Sequence, residues 1–212
     1  MKLIDLKMPT LADFTRVSII NSWCGIEGKY VNLAADRGGE TNFGITKATA
    51  AEWAGELVKR FQWNGRMQDL TQEMAFWIYD KAWWQRMRCD EILAIHPFIA
   101  DRVFDLAING GRGLGVKTLQ RILNACNRQQ LDYKDITADG GVGKLTLDAL
   151  RAYVDKRGQH GIEVLVQYQL ALQGAHYINL AEKDPSQETF VNGWGDRVTS
   201  VNRLYQKVLL SK

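Results

Sequence analysis

Apolar residues return every three or four positions along most of this chain, which predicts a mainly helical protein. The first such face is Leu11, Phe14, Val17, Ile20 and Cys24, with Thr10 as a candidate N-cap and Asp13 in the first turn. Gly25 and Gly28 end it. From Tyr30 to Ile45 the helical period is lost and Gly38, Gly39 and Gly44 intervene. Tyr30, Val31, Phe43 and Ile45 there predict a small β-hairpin turning at Asp36-Arg37-Gly38-Gly39. Thr46 and Thr49 compete to cap the next helix, which is expected to run to about Arg60.

Further faces follow in order. Met74, Trp77, Ile78, the Lys81 stem and Trp84 mark a helix from Thr71 to about Met87, rich in aromatic residues. Pro97 suits the first turn of a helix that ends at Asn109-Gly110-Gly111. Leu114 to Cys126 is helical, and the polar stretch from Asn127 to Gly143 is not. Helices are expected over about Leu145 to Lys156, Ile162 to Glu182 and Gln187 to Leu210, the last with an irregularity at Gly193 and Gly195. No repeat, low-complexity tract or linker interrupts the series. The expected fold class is mainly α with one small hairpin, an α+β arrangement.

Composition narrows the classes. The chain has 212 residues, 46% hydrophobic and 24% charged, as in ordinary globular proteins. A net charge of +3 and mixed charges in the C-terminal helices argue against a nucleic-acid binder. Cys24, Cys89 and Cys126 are odd in number and lack C-x-x-C spacing, so neither a disulfide framework nor a zinc site is suggested. His96, His160 and His176 are isolated, which disfavours a zinc amidase or peptidase. No nucleophile elbow is present. No cofactor or metal is expected. Asp5, Lys7 and Asp13 interrupt the N-terminal stretch before a signal-peptide core appears, and no apolar run reaches membrane-span length. The expectation is therefore residence in a reducing cytosol, without stable membrane insertion.

The chemistry concentrates between Trp23 and Thr49. Glu27 stands just past the first predicted helix, where the carbonyl dipoles favour the protonated acid. Asp36 follows nine residues later, with Glu40 as its rival, and the Thr41 hydroxyl is suited to hold a water. Two carboxyl groups, one protonating a leaving oxygen and one acting as nucleophile or base, are the equipment of glycoside hydrolysis. An ordinary exposed glutamate is the competing reading of Glu27. Trp77 and Trp84 fall on an apolar face and are read as core, whereas Trp63 in a loop and Trp194 between glycines are the better ligand contacts. Tyr30 and Asn42 join them as expected substrate-binding residues.

The segment E-G-K-Y-V-N-L-A-A-D-R-G-G-E-T-N-F-G-I-T-K-A-T, Glu27 to Thr49, resembles the signature of glycoside hydrolase family 108, a family of phage endolysins and related bacterial muramidases. Lys29 replaces the second glycine of the E-G-G-Y motif, and Leu33-Ala34 replaces its usual Asp-Pro pair. The resemblance implies a lysozyme-like fold, with Glu27 as the catalytic acid. The E-x8-D spacing is also similar to the Glu, Asp and Thr triad of a phage lysozyme type, in which the threonine lies one residue later than Thr41. The roles of Asp36 and Thr41 follow from that analogy. Asp139 to Leu150, D-G-G-V-G-K-L-T-L-D-A-L, resembles the D-G-x-x-G-x-x-T core of helical peptidoglycan-binding modules. Asn109 to Gly113 and Phe190 to Val198 resemble further parts of such a module. A calcium loop at Asp139 is opposed by the missing D-x-D-x-D-G ligand set.

The resemblance implies a catalytic segment over residues 1–95 and a peptidoglycan-binding segment over 96–212, expected to pack as one compact body. The implied function is an endolysin-type muramidase acting on bacterial peptidoglycan, as a monomer. A lytic transglycosylase on the same bond and a non-catalytic wall-binding or secretion-assisting protein are the alternatives.

Overall fold

The structure is a computed structural model that describes residues 10–26, 30–32 and 39–210. It is mainly helical, with one two-stranded antiparallel hairpin. Contacts divide it into two compact units, one of Thr15–Arg86, the other of Met87–Lys212 together with the stretch up to Phe14.

In the first unit, α1 (Arg16–Ile26) packs on α4 (Gln72–Tyr79). It buries Ile19, Ile20, Trp23 and Cys24, whereas Leu11 and Val17 of the expected face are 41% and 57% exposed. The cause is local. Leu11–Asp13 is a separate 3-10 turn, closed by the Thr10 amide and hydroxyl donating to the Asp13 carboxylate at 2.6 and 2.8 Å. The helix proper restarts at Thr15, whose amide donates to Ser18 Oγ while its own Oγ1 accepts from the Ser18 amide. That later start shifts the buried stripe.

The hairpin consists of β1 (Thr41–Asn42) and β2 (Ile45–Thr46), paired Thr41 with Thr46 and Asn42 with Ile45. Its turn is Phe43-Gly44, and the turn expected at Asp36-Arg37-Gly38-Gly39, between Val31 and Thr41, falls mostly outside the described residues. Both turn residues have positive φ, 49° and 72°, the requirement of the tight hairpin turn whose twist suits its strands. The Tyr79 hydroxyl donates to the Phe43 carbonyl at 3.2 Å and fixes the turn. Val31 pairs with the other edge of Thr41. Thr46 then caps α2 (Lys47–Glu52) by accepting from the Thr49 amide. The backbone breaks at Trp53, and α3 (Ala54–Phe61) ends at Gln62 in the left-handed conformation. A 3-10 turn, Met67–Asp69, precedes α4, which Thr71 caps and which runs on into a π-helical turn at Asp80–Trp84.

The second unit is built on α6 (Pro97–Gly110), capped by His96 Nδ1 accepting from the Phe98 amide at 3.3 Å. Every residue from Phe98 to Ala107 is buried, so this helix is enclosed on all sides. Its neighbours are α5 (Cys89–Leu93), α7 (Arg112–Cys126) and α8 (Lys144–Lys183). Helix α7 approaches so closely that a Cβ on Gly115 would lie 2.2 Å from the Val103 carbonyl oxygen. Helix α8 comprises the two helices expected from sequence, joined at Gly158, where φ 56° and ψ −149° leave the helical region. The last helix, α9 (Glu188–Leu210), passes through Gly193 and Gly195 without the expected irregularity.

A charged cluster sits inside this unit. Arg102 donates to Asp105 at 2.7 Å, Asp101 at 3.2 Å, Gln173 at 3.1 Å and the Tyr205 hydroxyl at 2.9 Å. Arg197 and Gln173 also donate to Asp105, at 2.9 and 2.8 Å. The Tyr205 ring stacks on Phe98 at 4.1 Å, and Phe14 meets Phe98 edge-on at 4.7 Å. Among the described residues no helix is long and apolar enough to cross a membrane.

Candidate active site

Helix α1 runs to Ile26, the last described residue before Tyr30. Glu27 and Asp36 themselves lie outside the described residues. The surroundings of the described part are a cleft of about 580 Å³, with Tyr30, Asn42 and Phe43 on one wall and Gln68 to Gln72 on the other.

Each hairpin residue reaches the cleft for a local reason. Asn42 is buried, and its amide donates to the Met67 and Leu70 carbonyls at 2.7 and 3.1 Å. It thereby ties the hairpin to the 3-10 turn opposite. Thr41 follows the left-handed Gly39, whose carbonyl accepts from its hydroxyl at 3.2 Å. Tyr30 bridges the two walls: its hydroxyl donates to Glu40 Oε1 at 3.0 Å and accepts from Gln68 Nε2 at 2.9 Å.

Glu40 is engaged on both oxygens, because Lys47 Nζ donates to Oε2 at 3.0 Å. The hydrogen bond from Lys47, then that from Tyr30, hold its carboxyl below the usual carboxylate range. A carboxylate so held is a fixed negative charge rather than a proton donor. Gln68 was not among the residues singled out from sequence. It lies 38 positions from Tyr30, and no periodicity links a loop glutamine to a tyrosine at that distance.

Thr41, Tyr30 and Asn42 therefore come together at the hairpin. Trp63 belongs to the same unit but is 6% exposed, with its indole N–H donating to the Arg66 carbonyl at 3.0 Å. Trp194 lies on α9 in the other unit, stacked between Tyr177 at 5.0 Å and Phe190 at 5.9 Å.

The D-G-x-x-G-x-x-T loop is closed on itself. Asp139 Oδ1 accepts from Gln120 Nε2 and the Gly141 amide at 3.0 and 2.8 Å. Gln120 also receives the Gly140 amide at 2.8 Å and donates to Thr146 Oγ1 at 3.1 Å. These polar groups clamp the loop to α7.

The comparisons follow this division of labour. Residues 20–111 match the family model described as Glycosyl hydrolase 108, and residues 114–199 match the one described as Predicted Peptidoglycan domain. The structure of SagA from Brucella abortus is similar, with a TM-score of 0.63 and 26% identity, covering 91% of this chain and 95% of that one. No curated protein matches the chain. The two family matches support a glycoside hydrolase with peptidoglycan as its partner. Residues 20–111 are thus similar to glycosyl hydrolase family 108, and residues 114–199 to a peptidoglycan domain.

Proposed function

We propose that the chain is an endolysin-type muramidase. It hydrolyses the β-1,4 bond between N-acetylmuramic acid and N-acetylglucosamine, with Glu27 as general acid. The carrying observation is the cleft at the hairpin, lined by Tyr30 and Asn42 within the stretch that matches the hydrolase family model. The sequence pattern, whose first apolar face closes at Gly25, is what leads us to expect Glu27 near a helix end, where carbonyl dipoles favour the neutral carboxyl that a proton donor requires. Asp36 is assigned the second carboxylate, stabilising the oxocarbenium-like charge or directing water, and Thr41 helps hold that water. Glu40 is the poorer choice for this role, since both its oxygens are engaged by Tyr30 and Lys47. Tyr30 and Asn42 line the cleft that would receive the glycan.

Digestion of purified sacculi tests the assignment. Replacing Glu27 by Gln should lower wall degradation by roughly 10²- to 10⁴-fold, the usual contribution of a positioned acid, with little change in the thermal melt. Full activity in that variant would remove Glu27 from the mechanism. Mass spectrometry of the products separates the chemistries: reducing ends support hydrolysis, whereas 1,6-anhydro ends would make the protein a lytic transglycosylase. Binding to sacculi with no products at all would leave a wall-binding protein.

A further inference from the structure

A second cleft in the first unit, of about 500 Å³, shares no lining residue with the hairpin cleft. It gathers Arg16 from the first turn of α1, Arg60 and Phe61 from the end of α3, and Phe76, Trp77 and Asp80 from α4 and the π-helical turn. Arg16 opens α1, and Ile26 lies about 15 Å further along the axis of that helix.

Its two walls differ in chemistry. One is a linked polar series. Asp80, buried to 7% exposure, accepts from Arg16 Nε at 2.8 Å on one oxygen and from Gln85 Nε2 at 2.7 Å on the other. Gln85 Oε1 in turn accepts from Lys81 Nζ at 3.0 Å. The π-helical turn makes this possible, since the Gln85 amide donates to the Asp80 carbonyl five residues back and sets the two side chains within reach. Such turns occur often at functional sites. The other wall is aromatic: the half-buried rings of Phe61 and Trp77 meet at 6.1 Å, Phe76 lies beside them, and the Arg60 guanidinium sits 5.5 Å from the Phe61 ring centre.

An aromatic wall facing an oriented polar wall suits a pyranose ring, which has apolar C–H faces and a hydroxylated rim. Arg60 and Lys81 outnumber the one further carboxylate of the lining, Glu73, while Arg16 already pairs with Asp80, so the cleft adds a preference for carboxylates. We propose that this cleft is a second glycan site, taking an N-acetylated glycan that carries carboxylates, as peptidoglycan does on its stem peptides. The proposal rests on the reading that the chain acts on peptidoglycan, and it would hold the strand away from the bond being cut.

The test follows indole and amide resonances of the full chain carrying Glu27→Gln, titrated with a purified disaccharide tetrapeptide and, separately, with neutral N-acetylchitotetraose. The disaccharide tetrapeptide should shift the Trp77 indole, and the neutral sugar should do so at least fivefold more weakly. Adding Arg60→Ala and Lys81→Ala should weaken the Trp77 response at least fivefold while leaving the shifts of the Asn42 and Phe43 amides unchanged. Equal affinity for the two ligands, or no loss in the double variant, overturns the proposal. Shifts at the hairpin with none at Trp77 also overturn it, yet leave the proposed function standing. Shifts at neither cleft reject both.

Discussion

Asp105 holds side chains from three helices around one carboxylate, since Arg102 lies on α6, Gln173 on α8 and Arg197 on α9. Burial alone would raise its pKa, but Arg102 and Arg197 outweigh burial and hold it below the usual range. A depressed folded pKa adds stability that is present above the unfolded value and lost as pH falls through the folded one. Asp105→Ala should destabilise the protein by about 3 kcal/mol in denaturant unfolding, because buried Arg102 is left with Asp101 as its carboxylate and half-buried Arg197 loses its pairing with Asp105. His96 acts in the same direction. Burial lowers its pKa from 6.5 to about 4, so the unfolded chain binds the extra proton first and stability declines between those values as pH falls. His96→Asn keeps a side-chain cap for the Phe98 amide and removes the titration. Stability measured from pH 7 to pH 4 should fall less steeply in that variant. Neither role was legible from sequence: His96 stood there only as an isolated histidine, Asp105 carried no signal, and only the fold supplies their surroundings.

The elements themselves were largely legible, where capping chemistry and apolar spacing agree. Thr46, Thr71 and Pro97 mark helix starts in the sequence and do so in the structure. What the spacing did not mark is the tight turn at Phe43-Gly44, a site made favourable by the Tyr79 hydroxyl from α4. Nothing local announces that contact. Gly44→Ala should cost about 1–2 kcal/mol, the penalty of a left-handed conformation for a residue with a Cβ, and loosen the cleft wall that Asn42 supports. Gly193 and Gly195 misled in the opposite sense, since packing keeps a helix continuous through residues of low propensity. Gly115 is different again: it is required by proximity, and Gly115→Ala should lower the melting temperature by forcing α7 away from the Val103 carbonyl. Differential scanning calorimetry on that variant checks the contact directly. Of the candidate site, the neighbourhood of Tyr30, Thr41 and Asn42 was legible because they lie in one stretch, but not Gln68, which donates to Tyr30, or Lys47, which donates to Glu40.

At the scale of the whole molecule, family boundaries and packing boundaries do not coincide. The hydrolase match runs to residue 111 and so includes α6, yet α6 is enclosed by α5, α7 and α8. A fragment ending at residue 111 would expose a helix that is apolar nearly all round. It is expected to aggregate or to lack dispersed resonances, whereas the full chain gives a dispersed spectrum. A well-folded fragment would show that α6 needs no cover. The same packing has a consequence for biosynthesis. Phe14, Phe98 and Tyr205 meet in one three-ring cluster, with Phe14 and Tyr205 each against Phe98 at 4.7 and 4.1 Å and 6.3 Å from each other. At a ribosome adding about 5–20 residues per second, that aromatic lock has to wait some tens of seconds after Phe14 is made. Until then Phe14 and Phe98 lack their third ring, and maturation of this unit is timed by the arrival of α9.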